Sequence, residues 1–419
     1  MKQILPFTKH SHSSRQIKEY DAFGYTTADG QHFIDAQSTF YSYSLGFKNA
    51  EILQAIHDGM SDVPYVRANK DVTHAAILEL QDRWSSLSDG YLTNVFYGLG
   101  GSDSVDTSIK LALNYHDILG EPQRTQIISF RTSYHGSTLS GTYVSGFDYM
   151  NLQTTAIKPD WIHYTSQPYF RGNATPEERE SEEERCLKQL RDLIGYVGPN
   201  RIAAIIQEPI SWVSGVVECS ESYHSAIKAI CNDYGILLIV DDVATCGGKL
   251  GTYFGYQRLK MQPDIVCSAK SLTAGFAQLS ATFCNSKVGT VIERRPMVHG
   301  WTFCPAMPGV YAALKTIEIL RRDDLMLVKP NEIALRMTTR AQQLIEAGKI
   351  SDFRVCGTFA SLVLNTGSNY ERARISAMKH GIMLGAHCLG PTSFLSIGVP
   401  LNIDSDTLNA IFDGLSEVL

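Results

Sequence analysis

The residues with the clearest chemical potential sit just past apolar runs. Asp241 and Asp242 follow Ile236-Leu237-Leu238-Ile239-Val240 directly, and Lys270 follows Ile265-Val266-Cys267 after two small residues. A carboxylate at the end of a buried strand is costly unless it is paired. It can bind a metal, accept a proton or hold a protonated ring nitrogen. Neighbouring strand residues point to opposite faces, so one of the two acids is expected to work and the other to be structural. An ammonium in a sheet crevice is expensive unless neutralised or covalently used. An acid and an amine at adjoining strand ends are what a pyridoxal phosphate (PLP) site requires. The amine forms the imine, and the acid keeps the pyridine nitrogen protonated.

Other strand ends add to this set. Gly100-Gly101-Ser102-Asp103 follows Val95-Phe96-Tyr97 and opens an amphipathic stretch. Free amides at a helix start favour a phosphate there, and Ser102 adds a hydroxyl; an ordinary tight turn has the same appearance. Ser133-Tyr134-His135-Gly136 follows Ile127-Ile128-Ser129-Phe130. It reads either as a packed loop aromatic beside a surface histidine or as an aromatic plate for a flat heterocycle. Gln207-Glu208-Pro209 ends the run Ile202-Ala203-Ala204-Ile205-Ile206.

The elements that must position these groups follow from periodicity. Asp29-Gly30 between two β-prone runs predicts a hairpin. Helices are expected over about residues 49–60 and 72–87. From residue 94 onward, short apolar runs alternate with amphipathic stretches, and a sixth run lies near residues 279–284. Near-continuous apolar strands separated by helices predict an α/β fold with a mainly parallel sheet covered on both faces. The acidic stretch 175–184 reads as a solvated helix start. A long helix is expected after Pro305. The tail from residue 333 reads as a smaller α+β unit with strands drawn from 349–364 and 372–397.

Composition bounds the function. The chain has 419 residues, 44% of them hydrophobic and 19% charged, with a formal net charge of −6. It is long enough for two or three domains. The acidic balance argues against nucleic acid or anionic membrane as a bulk partner. The apolar runs are strand-sized, so no membrane span is expected. The nine cysteines include no pair at CxxC spacing. They read as reduced, mostly buried thiols of a cytoplasmic protein, with no metal site. Residues 1–16 lack the apolar core of a signal peptide.

Taken in order, Gly101-Ser102-Asp103, Ser133-Tyr134-His135-Gly136-Ser137, Gln207-Glu208-Pro209, Leu238-Ile239-Val240-Asp241-Asp242-Val243, Ala269-Lys270 and His299-Gly300-Trp301-Thr302-Phe303 resemble the class III PLP-dependent aminotransferases. The resemblance runs from about residue 21 to 419. It implies fold type I: a large domain with a mainly parallel seven-stranded sheet between helices, plus a small α+β domain. Residues 1–48 would join the small domain, 49–305 would form the large PLP-binding domain, and 306–419 would complete the small one. Lys270 would be the Schiff-base lysine and Asp241 the partner of the ring nitrogen. Val243 and Tyr134 would cover the two ring faces, and Gly101 and Ser102 would hold the phosphate. Thr302 would reach the phosphate of a neighbouring subunit, which implies a homodimer with shared active sites. Glu208 would gate substrate binding, Tyr41 would stand where relatives carry a pocket Trp, and Trp301 would line the entrance.

The implied reaction moves an amino group from a primary amine or ω-amino compound to a carbonyl acceptor, with ping-pong kinetics. A diaminopelargonate-type aminotransferase and a PLP-dependent aminomutase are the alternatives within the class. A hydrolase built on Ser133, His135 and Asp241 lacks the Gly-x-Ser-x-Gly elbow. Intact Lys270 and Asp241 argue against a non-catalytic binding protein. The sequence departs from the family in four places. Asp242 stands for the usual Glu. Thr245-Cys246-Gly247-Gly248-Lys249 replaces a run with phenylalanine and arginine. Gly100 and Asp103 stand where Ser and Glu are commoner. Gly385 aligns where many relatives place a carboxylate-binding Arg, which leaves His387 as a candidate substitute.

Overall fold

The computed structural model describes residues 15–67, 71–146 and 159–419. Most of the N-terminal stretch read above as lacking a signal peptide lies outside them. The described residues form fifteen strands: β1 Ile17–Tyr20, β2 Gly24–Thr27, β3 His32–Asp35, β4 Leu92–Gly98, β5 Gln126–Phe130, β6 Ile162–Thr165, β7 Ile202–Gln207, β8 Leu237–Asp241, β9 Ile265–Ser268, β10 Ser280–Asn285, β11 Ile350–Cys356, β12 Phe359–Leu364, β13 Ile382–Met383, β14 Gly385–Leu389 and β15 Thr392–Gly398.

The central sheet has seven strands in the order β4-β10-β9-β8-β7-β5-β6. The pairs among β5 to β9 are parallel, and β10 runs antiparallel to both β4 and β9. Every residue of β7, β8 and β9 is buried. Their Ile- and Val-rich composition suits a pleated surface covered on both sides. One face packs against a core containing Ile205, Leu238, Val240 and Val266. The other packs against Ile206, Leu237, Ile239 and Ile265, with Val105, Ile109 and Ala112 of the helix Gly101–Ile118.

Two smaller sheets flank this layer. One is antiparallel, in the order β11-β12-β15-β14; the other is β1-β2-β3-β13. The Asp29-Gly30 hairpin forms as expected, with Gly30 at φ +86°. Strand β3 pairs in parallel with β13, so Ile34 lies beside Ile382 and Asp35 beside Met383. Ala36 shares a core with Leu362, Ile382, Leu395 and Phe412. Residues 34–36 are thereby bound to the last hundred residues. The stretch 372–397, read above as a source of strands, supplies β13, β14 and most of β15 but begins inside a helix, Tyr370–Lys379. Asn369 caps that helix by accepting a hydrogen bond from the Arg372 amide at 3.0 Å.

Between β3 and the first long helix, Ala50–Asp62, the chain makes one turn of left-handed helix. Ser38, Thr39, Phe40 and Tyr41 have φ of 47°, 47°, 56° and 67°, and none is glycine. The amide of Tyr41 reaches the Gln37 carbonyl at 2.7 Å, and that of Ser42 reaches Ser38 at 2.9 Å. For L-residues this hand costs about 1–2 kcal/mol per residue, so the surroundings must hold it.

Candidate active site

The carboxyl ends of β5, β7, β8 and β9 open into one crevice, as expected for a ligand site on a parallel sheet. Asp241 is the last residue of β8, and Lys270 lies two residues beyond β9. The two strands are hydrogen-bonded neighbours, with Asp241 paired to Cys267. Lys270 opens a short 3₁₀ turn at φ +48°, a region L-residues rarely occupy and one often found at functional sites. Desolvation lowers the pKa of its amine, opposed by the charges of Asp241, Cys246 and Glu208.

Asp241 is 6% exposed. His135 Nδ1 donates to Asp241 Oδ2 at 2.8 Å, and the Val243 amide donates to Oδ1 at 3.1 Å. His135 is 1% exposed, and its Nε2 has no hydrogen-bond partner among the described residues. It is therefore a buried support for Asp241 and not a surface histidine. Ser133 Oγ donates to the Phe130 carbonyl at 2.7 Å, so its proton is engaged there. The arrangement a serine hydrolase would need is absent from this crevice among the described residues.

Asp242 behaves as a structural acid. It is fully buried and accepts from the Gly255 amide at 3.0 and 2.8 Å and from the Thr245 hydroxyl. Burial pushes its carboxyl up from 3.8 to about 8, against the pull of those donors. The folded state thus binds the extra proton between about pH 4 and 8. Stability from this group falls as pH rises through that window and levels off above it. Asp242→Asn removes the titration. The urea unfolding free energies of wild type and variant, compared at pH 5 and pH 8.5, are expected to shift relative to each other by on the order of 4 kcal/mol in the variant's favour at the higher pH.

The first turn of the helix Gly101–Ile118 faces the same crevice. Asp103 caps it by accepting from the Leu99 amide at 2.7 Å and the Gly100 amide at 3.2 Å. A Cβ on Gly101 would lie 2.6 Å from Val243, so glycine here lets the helix start close on the residue after Asp242. Ser102 Oγ accepts from the Ser137 amide at 2.9 Å. Gly136, at φ +111°, has no room for a Cβ, which would sit 2.6 Å from that hydroxyl.

Aromatic side chains form one wall. Tyr134 stands 6.0 Å edge-on from Trp212, and Trp212 stands 5.6 Å from Tyr41. The Tyr41 ring lies 5.9 Å from Lys270 Nζ. Glu208 accepts from the Tyr134 amide at 3.4 Å. Burial raises its pKa well above the usual range, with the charge of Asp241 adding to the effect. The neutral carboxylic acid is the favoured form.

Two sequence-derived residues lie elsewhere in the chain. Trp301 lies edge-on to His299 at 5.3 Å, and His299 stacks on Phe96 at 4.9 Å. Trp301 and His299 line a cleft of about 400 Å³ with Asp106, Lys110 and Trp161, along the helix Gly101–Ile118. Thr302 is exposed, and its carbonyl accepts from the Tyr65 hydroxyl at 2.8 Å.

At the position where many relatives carry a carboxylate-binding Arg, Gly385 meets the amide of Gln37, which a Cβ would approach to 2.5 Å. Both nitrogens of His387 are engaged. Nε2 donates to the Val213 carbonyl at 2.7 Å, and Nδ1 lies 3.4 Å from Ser396 Oγ. Desolvation lowers its pKa and favours the neutral ring. Sequence reasoning missed Gln37 and Trp212, and it missed His135 as the partner of Asp241. For Trp212 a signal existed: a tryptophan five residues past the carboxyl end of a buried strand.

A family model described as "Aminotransferase class-III" matches residues 8–419. The diaminobutyrate–2-oxoglutarate transaminase of Halomonas elongata is 29% identical over 71% of this chain. The match spans 65% of that relative, slightly under two thirds of its length. The putrescine–pyruvate aminotransferase of Pseudomonas aeruginosa is 26% identical over 97% of this chain and 92% of its own. Among solved structures, an amine transaminase from an uncultivated Pseudomonas species in its PLP-bound form superposes with a TM-score of 0.91. It is 25% identical, with 100% of this chain and 98% of that one covered.

Proposed function

Because the chain belongs to the class III aminotransferases, we propose that it is a PLP-dependent aminotransferase that takes an amino group from a primary amine or ω-amino compound and passes it to a carbonyl acceptor. One observation carries this reading: Asp241 and Lys270 stand at the ends of adjacent parallel strands and open on one crevice. The surrounding residues fit the coenzyme. His135 braces Asp241, and glycine at 101 and 136 lets the helix start close on Val243 and the loop after β5 close on Ser102. The relatives named for putrescine and diaminobutyrate support a donor with a terminal amine. The uncharged amide of Gln37 beside Gly385 is compatible with that class.

When bound, PLP supplies a carbonyl to receive the amino group and an electron sink beside the reacting carbon. The chain's own residues do the rest. Lys270 Nζ would hold the coenzyme and, when released, take the proton from the donor carbon and return it. Its lowered pKa favours the free amine, the form that acts as a base. Asp241 would hold a proton at the ring nitrogen, with His135 fixing its orientation. Gly101 and Ser102 would bind the phosphate at the helix start. Val243 and Tyr134 would close on the two ring faces and exclude water. Glu208 would stand beside the ring as a neutral acid. Tyr41 would bound the substrate.

A homodimer with shared active sites is part of the proposal. Thr302 would reach the phosphate of the partner's site from its exposed loop. Val298 and Phe303 in the same loop are 98% and 61% exposed, apolar surface that a second protomer would cover. Trp301 would then line the entrance from across that interface. Residues 1–48 and 306–419 would form the small domain around a large domain of residues 49–305, in a cytoplasmic enzyme.

The holoenzyme provides the test. An amine donor alone should abolish the yellow absorbance of the bound coenzyme, and a carbonyl acceptor should restore it. Initial rates should give the parallel double-reciprocal lines of a ping-pong mechanism. A spectrum unmoved by a broad panel of amines would reject the proposal.

A further inference from the structure

The left-handed turn Ser38–Tyr41 is held at both ends by buried ionisable groups that no step above uses. At its start stands Asp35, the last residue of β3 and 5% exposed. Its Oδ1 accepts from the Gln37 amide at 2.9 Å. Its Oδ2 accepts from the Thr39 amide at 2.8 Å and from the Thr39 hydroxyl at 3.0 Å. At the end of the turn, Lys249, 3% exposed, donates to the Tyr41 carbonyl and, at 3.1 Å, to the Ala244 carbonyl. A carboxyl group therefore accepts at the free N–H end and an amine donates at the free C=O end, the polarity a helical turn favours.

We propose that Asp35 and Lys249 are positioning residues that clamp this turn and so fix Tyr41 as the substrate-side wall of the Lys270 crevice. The inference rests on the reading of that crevice as the site of amino transfer. Three observations carry it. The hand of the turn decides where each Cβ points, so the Tyr41 ring keeps its place only while the turn stays left-handed. The ring it positions is 4% exposed, packs edge-on against Trp212 and Phe359, and lies 5.9 Å from Lys270 Nζ. Gly398 has no Cβ where Tyr41 passes; one there would lie 2.3 Å from the ring. Lys249 also couples two walls of the crevice. One Nζ binds Tyr41 on the substrate side and Ala244, next to Val243, on the cofactor side.

Lys249→Met removes the donors and keeps an unbranched apolar stem. Asp35→Asn keeps one acceptor oxygen and tests the other end if the first variant fails to fold. In the holoenzyme, Lys249→Met is expected to raise KM for the amine donor about 10-fold with kcat within about 3-fold, and Asp35→Asn to act in the same direction. In a Tyr41→Ala background, both changes should shift KM by less than about 2-fold, because the residue they act through is gone. Amide hydrogen exchange gives a readout independent of turnover. Exchange in the peptide covering residues 38–43 should accelerate at least ~10-fold in either variant, with or without coenzyme. Unchanged exchange in that peptide, an unchanged KM, or an equal KM effect in the Tyr41→Ala background would each overturn the clamp. An amine-insensitive wild-type spectrum would instead sink the amino-transfer reading, while the exchange result still judges the clamp.

Discussion

Lys270→Ala is expected to abolish amino transfer, lowering kcat by at least ~10⁴-fold, because one atom is asked to do two things. Nζ would be the attachment point for the coenzyme, on a residue two positions past β9. Loss of a positioned general base alone costs about 10²–10⁴-fold. Loss of covalent attachment adds to that. Stability should not fall with it. The amine is desolvated, and its charged form is disfavoured where it stands. Removing it relieves that cost while leaving a gap that opens into the crevice. Cooperative thermal unfolding at or near the wild-type Tm, with turnover lost across the whole donor panel, is the expected pair of results. Full activity in this variant would exclude Lys270 from the chemistry.

Asp241→Asn is the second large effect. The amide matches the carboxylate in shape but carries no charge. It can still accept from the Val243 amide, yet it no longer offers the anionic oxygen to which His135 Nδ1 donates. It also cannot balance a protonated ring nitrogen. Removing one preorganised electrostatic contact of this kind costs about 10²–10³-fold in kcat. The adjacent Asp242→Asn is the control. It changes an acid of the same type, one residue away on the opposite face, whose partners are Thr245 and Gly255. Activity falling about 10²–10³-fold in the first variant and staying within a few-fold in the second would separate the two roles. Comparable losses in both would assign Asp241 to structure as well.

The central strands were legible because burial on both faces leaves an unbroken apolar run, as in Ile202–Gln207 and Leu237–Asp241. Groups at the ends of such runs were legible for the same reason, which is how Asp241 and Lys270 emerged. Strand β6, Ile-His-Tyr-Thr, was not. It pairs on one side only and carries polar residues that an interior strand would not tolerate. The antiparallel course of β10 left no local trace, since direction is fixed by partners and not by pattern. The helix Tyr370–Lys379 was hidden because charged and polar side chains crowd it and Ala377 alone is buried, so no apolar stripe stands out. The cap at Asn369 was its readable signal. The turn at Ser38–Tyr41 was invisible because it holds four left-handed residues without a glycine. The contact between His135 and Asp241 spans 106 positions of sequence and follows from the order β8-β7-β5 in the sheet.

The pairing of β3 with β13 has a consequence for synthesis on the ribosome. Asp35, the base on which residue 41 is seated, finds its parallel neighbour only at Met383. At common elongation speeds the interval between those two points of translation is on the order of tens of seconds. Throughout it the growing polypeptide can stack β4 to β10 into a sheet, yet one side of the reaction chamber stays unbuilt. The finished pocket is therefore among the last features to mature, and a nascent chain stalled before β13 emerges would be folded in its middle and chemically silent.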